Sequence, residues 1–517
     1  MTDTHGTSLL ERLPVHPLIL AAYPVLFLWA HNVDEVFSED VWPILAWVLA
    51  GAVGMWIAAS FVYRGVRRGA LLTSFVATLL LSYGHVAGEW VAGVGIGVVV
   101  LLVLVAAAAL WVIGDGAVHV VTGIANVVAL VLLVVGAWPL AGEAVEAVGR
   151  GDAARAELAA VFDGAPDGPV RDIYYVVLDR YPRADTLEEL YGYDNSQFLG
   201  FLEASGFHVA DDSLANYPKT AHSLAASLNM TYLDELEETV ATKDLDDWGP
   251  VYRMLDDHRV GQLLTDAGYE YLHLGTWWQP TAESVLADRI LTRNAGSEFG
   301  RLFAETTIWP AVQEVLGSDE PLSNREQLFA FTEHQFDVLD RLADDRGNPA
   351  RFVFAHLTVP HEPYVFEADG TYVPAEVEAA RSRTERFVPH LEYANRRIRG
   401  FVEELSKGRA DDEQPIVVVQ ADEGPHPRSR VAAGPDYDWL GAPLSDLREK
   451  LRILNAYHLP GVTDDEIPEG ITPVNTFRLI FSHYFGADLP LLEDHVYVFP
   501  DESHLYRFTE VTDRVRE

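Results

Sequence analysis

Val98–Val112 runs for fifteen residues without one polar side chain. A helix there has no face to turn toward water, so it must lie in protein or in lipid. It is not alone. Apolar runs of roughly membrane-spanning length recur through the first 140 residues: Val15–Ala30, Val41–Tyr63, Ala70–His85, Val94–Ile113 and Val118–Leu140. A spanning helix needs about 20 apolar residues, and lipid tolerates only segments that satisfy their own backbone. Several long runs with little between them are not the pattern of one cleaved leader. The reading is an α-helical membrane domain of five spans over residues 1–140.

Orientation comes from the loops. Arg64-Gly65-Val66-Arg67-Arg68 is the one strongly basic short connection, and basic loops stay cytoplasmic. His31–Asp40 is acidic and falls outside. Five spans then put the N-terminus in the cytoplasm and everything after Leu140 on the outer side of the plasma membrane. Few ionisable residues fall mid-span, so no ion path is evident and the helices read as an anchor.

Residues 141–170 read as a juxtamembrane helix (Glu143–Phe162) and a linker (Asp163–Pro169), where the composition shifts. The remainder, 171–517, alternates strand-like and helix-like segments. That is the pattern of an α/β domain with a central, mostly parallel sheet. A net charge of −40 argues against binding nucleic acid through its phosphates. The absence of cysteine excludes disulfides, zinc–thiolate sites and a cysteine nucleophile. Four lysines against thirty-three arginines fit a salt-loving source or a high-GC codon bias equally well. The acidic stretches Asp234–Glu238 and Asp244–Asp247 read as solvated faces, and Trp277-Trp278 as core or as the wall of a lipid or sugar groove.

Two stretches share a grammar. DIYYVVLD (Asp172–Asp179) and PIVVVQADEG (Pro415–Gly424) are β-branched strands ending in carboxylates. Open α/β sheets keep their ligands at that edge, and adjacent carboxylates there repel unless a proton or cation lies between them. In LANYPKTAHSLAASLNMTYL (Leu214–Leu233), Thr220 falls at a helix start. A hydroxyl there is either an N-cap or a group in an anion-attracting field, able to attack phosphorus beside a metal. FVFAHL (Phe352–Leu357) is another strand, with His361 between prolines just beyond it in PHEPY.

These motifs, in this order behind five spans, resemble the sulfatase/alkaline-phosphatase superfamily in its lipoteichoic-acid-synthase-like membrane branch. The resemblance implies an alkaline-phosphatase-like catalytic domain in which Asp179, Thr220 and Asp422 hold a metal, Thr220 is the nucleophile and His361 binds the substrate's phosphate or sulfate. Lys219 and Arg428 are candidate partners for phosphate oxygens. The family's late strand ends Asp-His-Gly, and this chain has Asp422-Glu423-Gly424, which puts Glu423 forward as the fourth ligand ahead of His426. Such an all-oxygen shell suits Mn²⁺ or Mg²⁺, with Ca²⁺ also compatible. Three carboxylates on one ion leave excess negative charge, which weakens the metal as a Lewis acid.

The function implied is a phospho-group transferase passing a group from a lipid-linked donor to a glycan or polymer acceptor through a covalent phospho-threonine. A membrane-bound phosphoesterase or sulfatase-like hydrolase is one alternative, and an inactive metal- or glycan-binding envelope protein another. The formylglycine pattern of strict sulfatases is absent.

Overall fold

A computed structural model describes residues 13–32, 38–87, 92–147, 169–234, 236–237, 246–292, 298–316, 324–345 and 349–516. The chain divides into two units. The first comprises Met1–Asp152 and Gly296–Pro321, the second Ala153–Ala295 and Leu322–Glu517. The expected linker, most of the juxtamembrane helix beyond Ala147, much of the acidic stretches and part of the His31–Asp40 loop lie outside the described residues.

The first unit is helical throughout most of its described length: His16–His31, Ser38–Tyr63, Val66–Leu81, Tyr83–Ala87, Ala92–Val112 and Asp115–Ala147. Among the described residues, three segments are long and apolar enough to cross a membrane, Val41–Tyr63, Gly95–Val112 and Asp115–Gly136. The other two expected spans fall short. His16–His31 and Val66–Leu81 have sixteen residues each, about 24 Å of helix against a hydrocarbon core of about 30 Å. The second of these starts on Val66, Arg67 and Arg68 and stops at Ser82, before a separate turn at Tyr83.

Several polar groups inside this unit are paired, as an apolar surrounding favours. Asn126 Oδ1 accepts from the backbone N–H groups of Val15 and His16 at 3.0 Å, and His16 Nδ1 meets Ser74 Oγ at 2.5 Å. Arg68 ties the basic loop to the Leu110–Asp115 turn, donating to the Leu110 and Ile113 carbonyls and lying 2.8 Å from Asp115.

In the second unit the strands are β1 (Ile173–Leu178), β2 (His208–Val209), β3 (Glu270–Leu274), β4 (Arg289–Ile290), β5 (Arg351–Leu357), β6 (Ile416–Ala421) and β7 (Asn455–His458). They form one sheet in the order β2-β7-β6-β1-β5-β3-β4. The pairs from β6 through to β4 are parallel, and β7 turns antiparallel at one side. Tyr497–Val498 pairs with Thr509–Glu510 in a separate two-stranded sheet.

β1, β5 and β6 are buried along their whole length, which is why they read as unbroken apolar runs. Their register sets Leu178 beside both Leu357 and Ala421. The three central strands therefore finish level, and the loops that leave them start at one common edge.

Candidate metal centre

In a parallel pair, residues side by side share a face, and the face repeats every second residue. Val177 pairs with His356 in β5 and with Gln420 in β6. Asp179 and Asp422, two residues beyond Val177 and Gln420, thus fall on the face that carries His356. Asp179, His356 and Asp422 each bring one ligand atom to within 4.8 Å of the others, and all three are buried. Asp179 Oδ2 is 3.9 Å from His356 Nε2.

Several of these atoms have no hydrogen-bond partner: Asp179 Oδ1, Asp422 Oδ2, His356 Nε2 and, close by, Glu423 Oε2. Buried polar atoms without partners are costly, and here they converge. Asp422 Oδ1, by contrast, is fixed by the backbone N–H groups of Arg180 (3.1 Å) and Glu423 (2.8 Å), which leaves the other oxygen free. Burial pushes the Asp179 carboxyl well above the ordinary range, with Asp422 adding to it, and raises Asp422 and Glu423 as well. Burial lowers His356 to about 3, so its ring is neutral and able to donate a lone pair. Carboxylates held against their preference beside a neutral imidazole fit a divalent cation.

His356 is itself held from behind. Its Nδ1 lies 3.0 Å from Thr281 Oγ1, which is 2.9 Å from Thr276 Oγ1. Thr276 in turn faces the Trp278 carbonyl and accepts from the Trp278 N–H. With Nδ1–H donating into this hydroxyl chain, Nε2 is left bare toward Asp179. A ligating histidine is commonly fixed in this way. The loop carrying both threonines packs so closely that a Cβ on Gly275 would fall 1.6 Å from the Thr281 carbonyl oxygen. Within that loop Trp278 packs edge-on to Tyr252 and Trp277 stays partly exposed.

Thr220 is the first residue of the helix Thr220–Asn229, with Lys219 as N-cap. Its side chain stands beside the Asp422 carboxyl and draws that carboxyl's pKa down, against the larger effect of burial. One turn on, Ser223 Oγ donates to the Asp422 carbonyl at 2.6 Å, pinning the helix start to the end of β6.

Glu423, the expected fourth ligand, is not part of the three-residue group. Its Oε1 lies 2.6 Å from Lys450 Nζ, both side chains almost wholly buried, and 3.5 Å from Arg180 Nε. The tight approach behind it explains Gly424, where a Cβ would fall 2.1 Å from the Glu449 carbonyl oxygen. His426 is not free to swing in: its ring nitrogens lie 3.0 Å from Lys450 Nζ and from Arg180 Nη2. Lys450 thereby offsets the negative charge read from three carboxylates, and the nitrogen of His356 joins the two aspartates in the group that could hold a cation.

The remaining expected residues divide. His361 is half-buried, its Nδ1 against the Glu362 carbonyl, and Glu362 pairs with Arg180 at 2.6 Å. Lys219 Nζ lies 2.5 Å from Glu502, which also pairs with Arg430. Arg428 is exposed and takes part in none of these contacts, whereas Arg430, two residues on, is buried. Sequence reasoning missed His356, Lys450 and Arg180. The signal for His356 was a lone polar residue near the end of an otherwise apolar strand.

No family model matches the chain, and no curated protein matches it. Solved structures do. The C-terminal periplasmic domain of EptC from Escherichia coli, in complex with zinc, is 12% identical over 69% of this chain and 97% of that one, with a TM-score of 0.41. The integral membrane lipooligosaccharide phosphoethanolamine transferase EptA from Neisseria meningitidis is 13% identical over 92% of this chain and 96% of that one, TM-score 0.35. The periplasmic domain of the phosphoethanolamine transferase EptC from Campylobacter jejuni is 12% identical over 66% and 94%, TM-score 0.36. Other matches include a Bacteroides thetaiotaomicron protein assigned to the sulfatases, 12% identical over 66% of this chain and 75% of that one, TM-score 0.37. At these identities the role of each residue rests on the site itself.

Proposed function

We propose that this chain is a membrane-anchored, metal-dependent phospho-group transferase acting on lipid-linked or glycan substrates of the cell envelope, with Thr220 as its nucleophile. One observation carries the reading. Thr220 opens a helix with its side chain beside the Asp422 carboxyl, and Asp422 groups with Asp179 and His356, their ligand atoms within 4.8 Å of one another. Asp179, His356 and Asp422 would hold the cation, and a donor set of mixed oxygen and nitrogen favours Mn²⁺ or Zn²⁺ over Ca²⁺. A divalent ion there supplies positive charge that lowers the hydroxyl pKa and offsets charge on a phosphoryl group.

The chain's own residues do the rest. Asp422 orients the Thr220 hydroxyl. Thr220 Oγ bonds to phosphorus, the bond from phosphorus to the donor's alcohol oxygen breaks, and the hydroxyl proton leaves with that alcohol. An acceptor hydroxyl then bonds to phosphorus, the Thr220 Oγ–P bond breaks, and the acceptor's proton returns to Thr220. The free N–H groups of the helix start, with Arg180 and Lys219, face the anionic group. In this reading the N-terminal helices anchor the chain, the N-terminus is cytoplasmic and the α/β unit is extracytoplasmic. A tethered site raises the effective concentration of lipid-linked donors.

The test is Thr220→Ala beside Thr220→Ser. The alanine variant is expected to lose transfer from a lipid-linked phosphodiester by several orders of magnitude while still binding metal. The serine variant keeps part of it and shows a phosphoryl adduct at position 220 on peptide mass analysis. Full transfer by Thr220→Ala contradicts the reading.

A further inference from the structure

Gly296–Pro321 lies in the middle of the sequence of the α/β unit yet clusters with the N-terminal helices. It carries two short helices, Glu298–Thr306 and Trp309–Leu316. Phe299 and Phe303 join one buried apolar cluster with Ala22, Val25, Val41 and Leu45, on which Ile44 and Val48 also pack. Ala311 forms another with Tyr83 and Val99, together with Ile96 and Val103.

These partners fix a depth. Val41, Leu45 and Val48 belong to the first two turns of the candidate span Val41–Tyr63, and Ile96, Val99 and Val103 to the first turns of Gly95–Val112. Seven residues of helix are roughly 10 Å. Both contacts lie at the ends of those spans remote from Arg64–Arg68. The insertion therefore sits at the level where headgroups give way to hydrocarbon.

Its backbone is finished as that level requires. Thr306 and Thr307 hydroxyls donate to the Phe303 and Ala304 carbonyls, Trp309 N–H donates to Thr307 Oγ1, and Ile308 N–H donates to the Leu80 carbonyl at 2.8 Å. The fit is close: a Cβ on Gly84 would fall 2.2 Å from the Glu305 carbonyl oxygen. Meanwhile Leu302, Trp309 and Val315 are 39%, 53% and 53% exposed. Large apolar side chains left bare at this depth have acyl chains, not water, as neighbours, and tryptophan is favoured at that boundary.

We infer that the stretch 298–316 is a lipid-facing insertion, seated in the outer leaflet, with Leu302, Trp309 and Val315 against the acyl–headgroup boundary. This rests on the reading that the long apolar helices lie in a bilayer, and it is independent of the chemistry proposed for the metal centre. Its partner is the membrane surface itself.

The chain has no cysteine, so single cysteines can be placed in the full-length protein without background. Leu302→Cys, Trp309→Cys and Val315→Cys, spin-labelled in phosphatidylglycerol–phosphatidylcholine nanodiscs, are compared with two other exposed positions. Leu104→Cys lies mid-span and Val431→Cys lies in the α/β unit. The three insertion sites are expected to collide with oxygen in preference to a water-soluble nickel chelate several-fold more than Val431→Cys does, and to resist a water-soluble maleimide. If Leu104→Cys reports lipid while the three insertion sites match Val431→Cys, the inference is overturned. If Leu104→Cys also reports water, the membrane reading falls and the inference with it. All five positions are exposed, so the labels disturb no core.

Discussion

The ends of β6 and β5 make an instructive pair. β6 ends in two adjacent carboxylates, Asp422 and Glu423, and only the first groups with Asp179 and His356. Each leaves one oxygen without a partner, but Asp422 Oδ1 is held by backbone N–H groups, whereas Glu423 Oε1 meets the Lys450 ammonium at 2.6 Å. β5 has no carboxylate at its end, yet His356 in its last full pleat supplies the nitrogen that completes the group. Two like residues side by side thus have different partners, and a residue of another kind one strand beyond β1 stands with the first. What separates them is the partner behind each. A buried ammonium engages one oxygen of Glu423, and a pair of threonine hydroxyls turns His356 Nε2 forward.

The comparison breaks most severely at Lys450. Lys450→Met leaves Glu423 buried without its cation, and removing one partner of a buried ion pair costs about 3–5 kcal/mol. The expected result is that loss in chemical denaturation, largely recovered when Glu423→Gln is added. Equal stability of the single and double variants would show that Glu423 faces something other than Lys450.

Next in size is His356→Ala. Loss of one of three ligands should lower affinity for Mn²⁺ or Zn²⁺ by more than loss of a supporting residue, itself about 10–100-fold, as read by calorimetry. Glu423→Gln on the same protein should change affinity little. The reverse ranking would return Glu423 to the ligand set. Thr281→Val sharpens the comparison from behind. It removes the acceptor for His356 Nδ1–H and should weaken metal binding about 10–100-fold, with Thr281→Ser restoring most of it.

The smallest effect is that of pH. Burial holds Asp179 and Asp422 above the ordinary carboxylate range. In the metal-free fold these groups keep protons that the unfolded chain has released above about pH 4. Their contribution to stability is therefore present in acid and declines as pH rises through their folded values. Bound metal reverses the sign, since it needs the deprotonated forms. The rise in unfolding temperature on adding metal should grow from about pH 5 to about pH 7, and a rise independent of pH would place the metal on other groups.

Much of this was legible in the residues. Strands buried on both faces read as the apolar runs they are, so β1, β5 and β6 stood out, and the two that end in carboxylates named Asp179 and Asp422. Thr220 announced itself by standing just after Pro218 and ahead of a helix-forming run. Other parts depend on contacts that sequence does not encode locally. Lys450 reaches Glu423 from a helix more than twenty residues away. Arg180 looked like an ordinary loop residue until its left-handed backbone (φ +65°) turned it toward Glu423 and Glu362. Gly296–Pro321 has the mixed composition of the surrounding α/β sequence, and only its packing on Val41, Leu45 and Val99 assigns it to the helical unit.

The most direct test of the account is the position of the metal. Anomalous scattering from crystals loaded with Mn²⁺ or Zn²⁺ should give a peak bonded to Asp179, Asp422 and His356 Nε2, within reach of Thr220 Oγ. A peak bonded to Glu423 with His356 remote, or one touching neither aspartate, would contradict it.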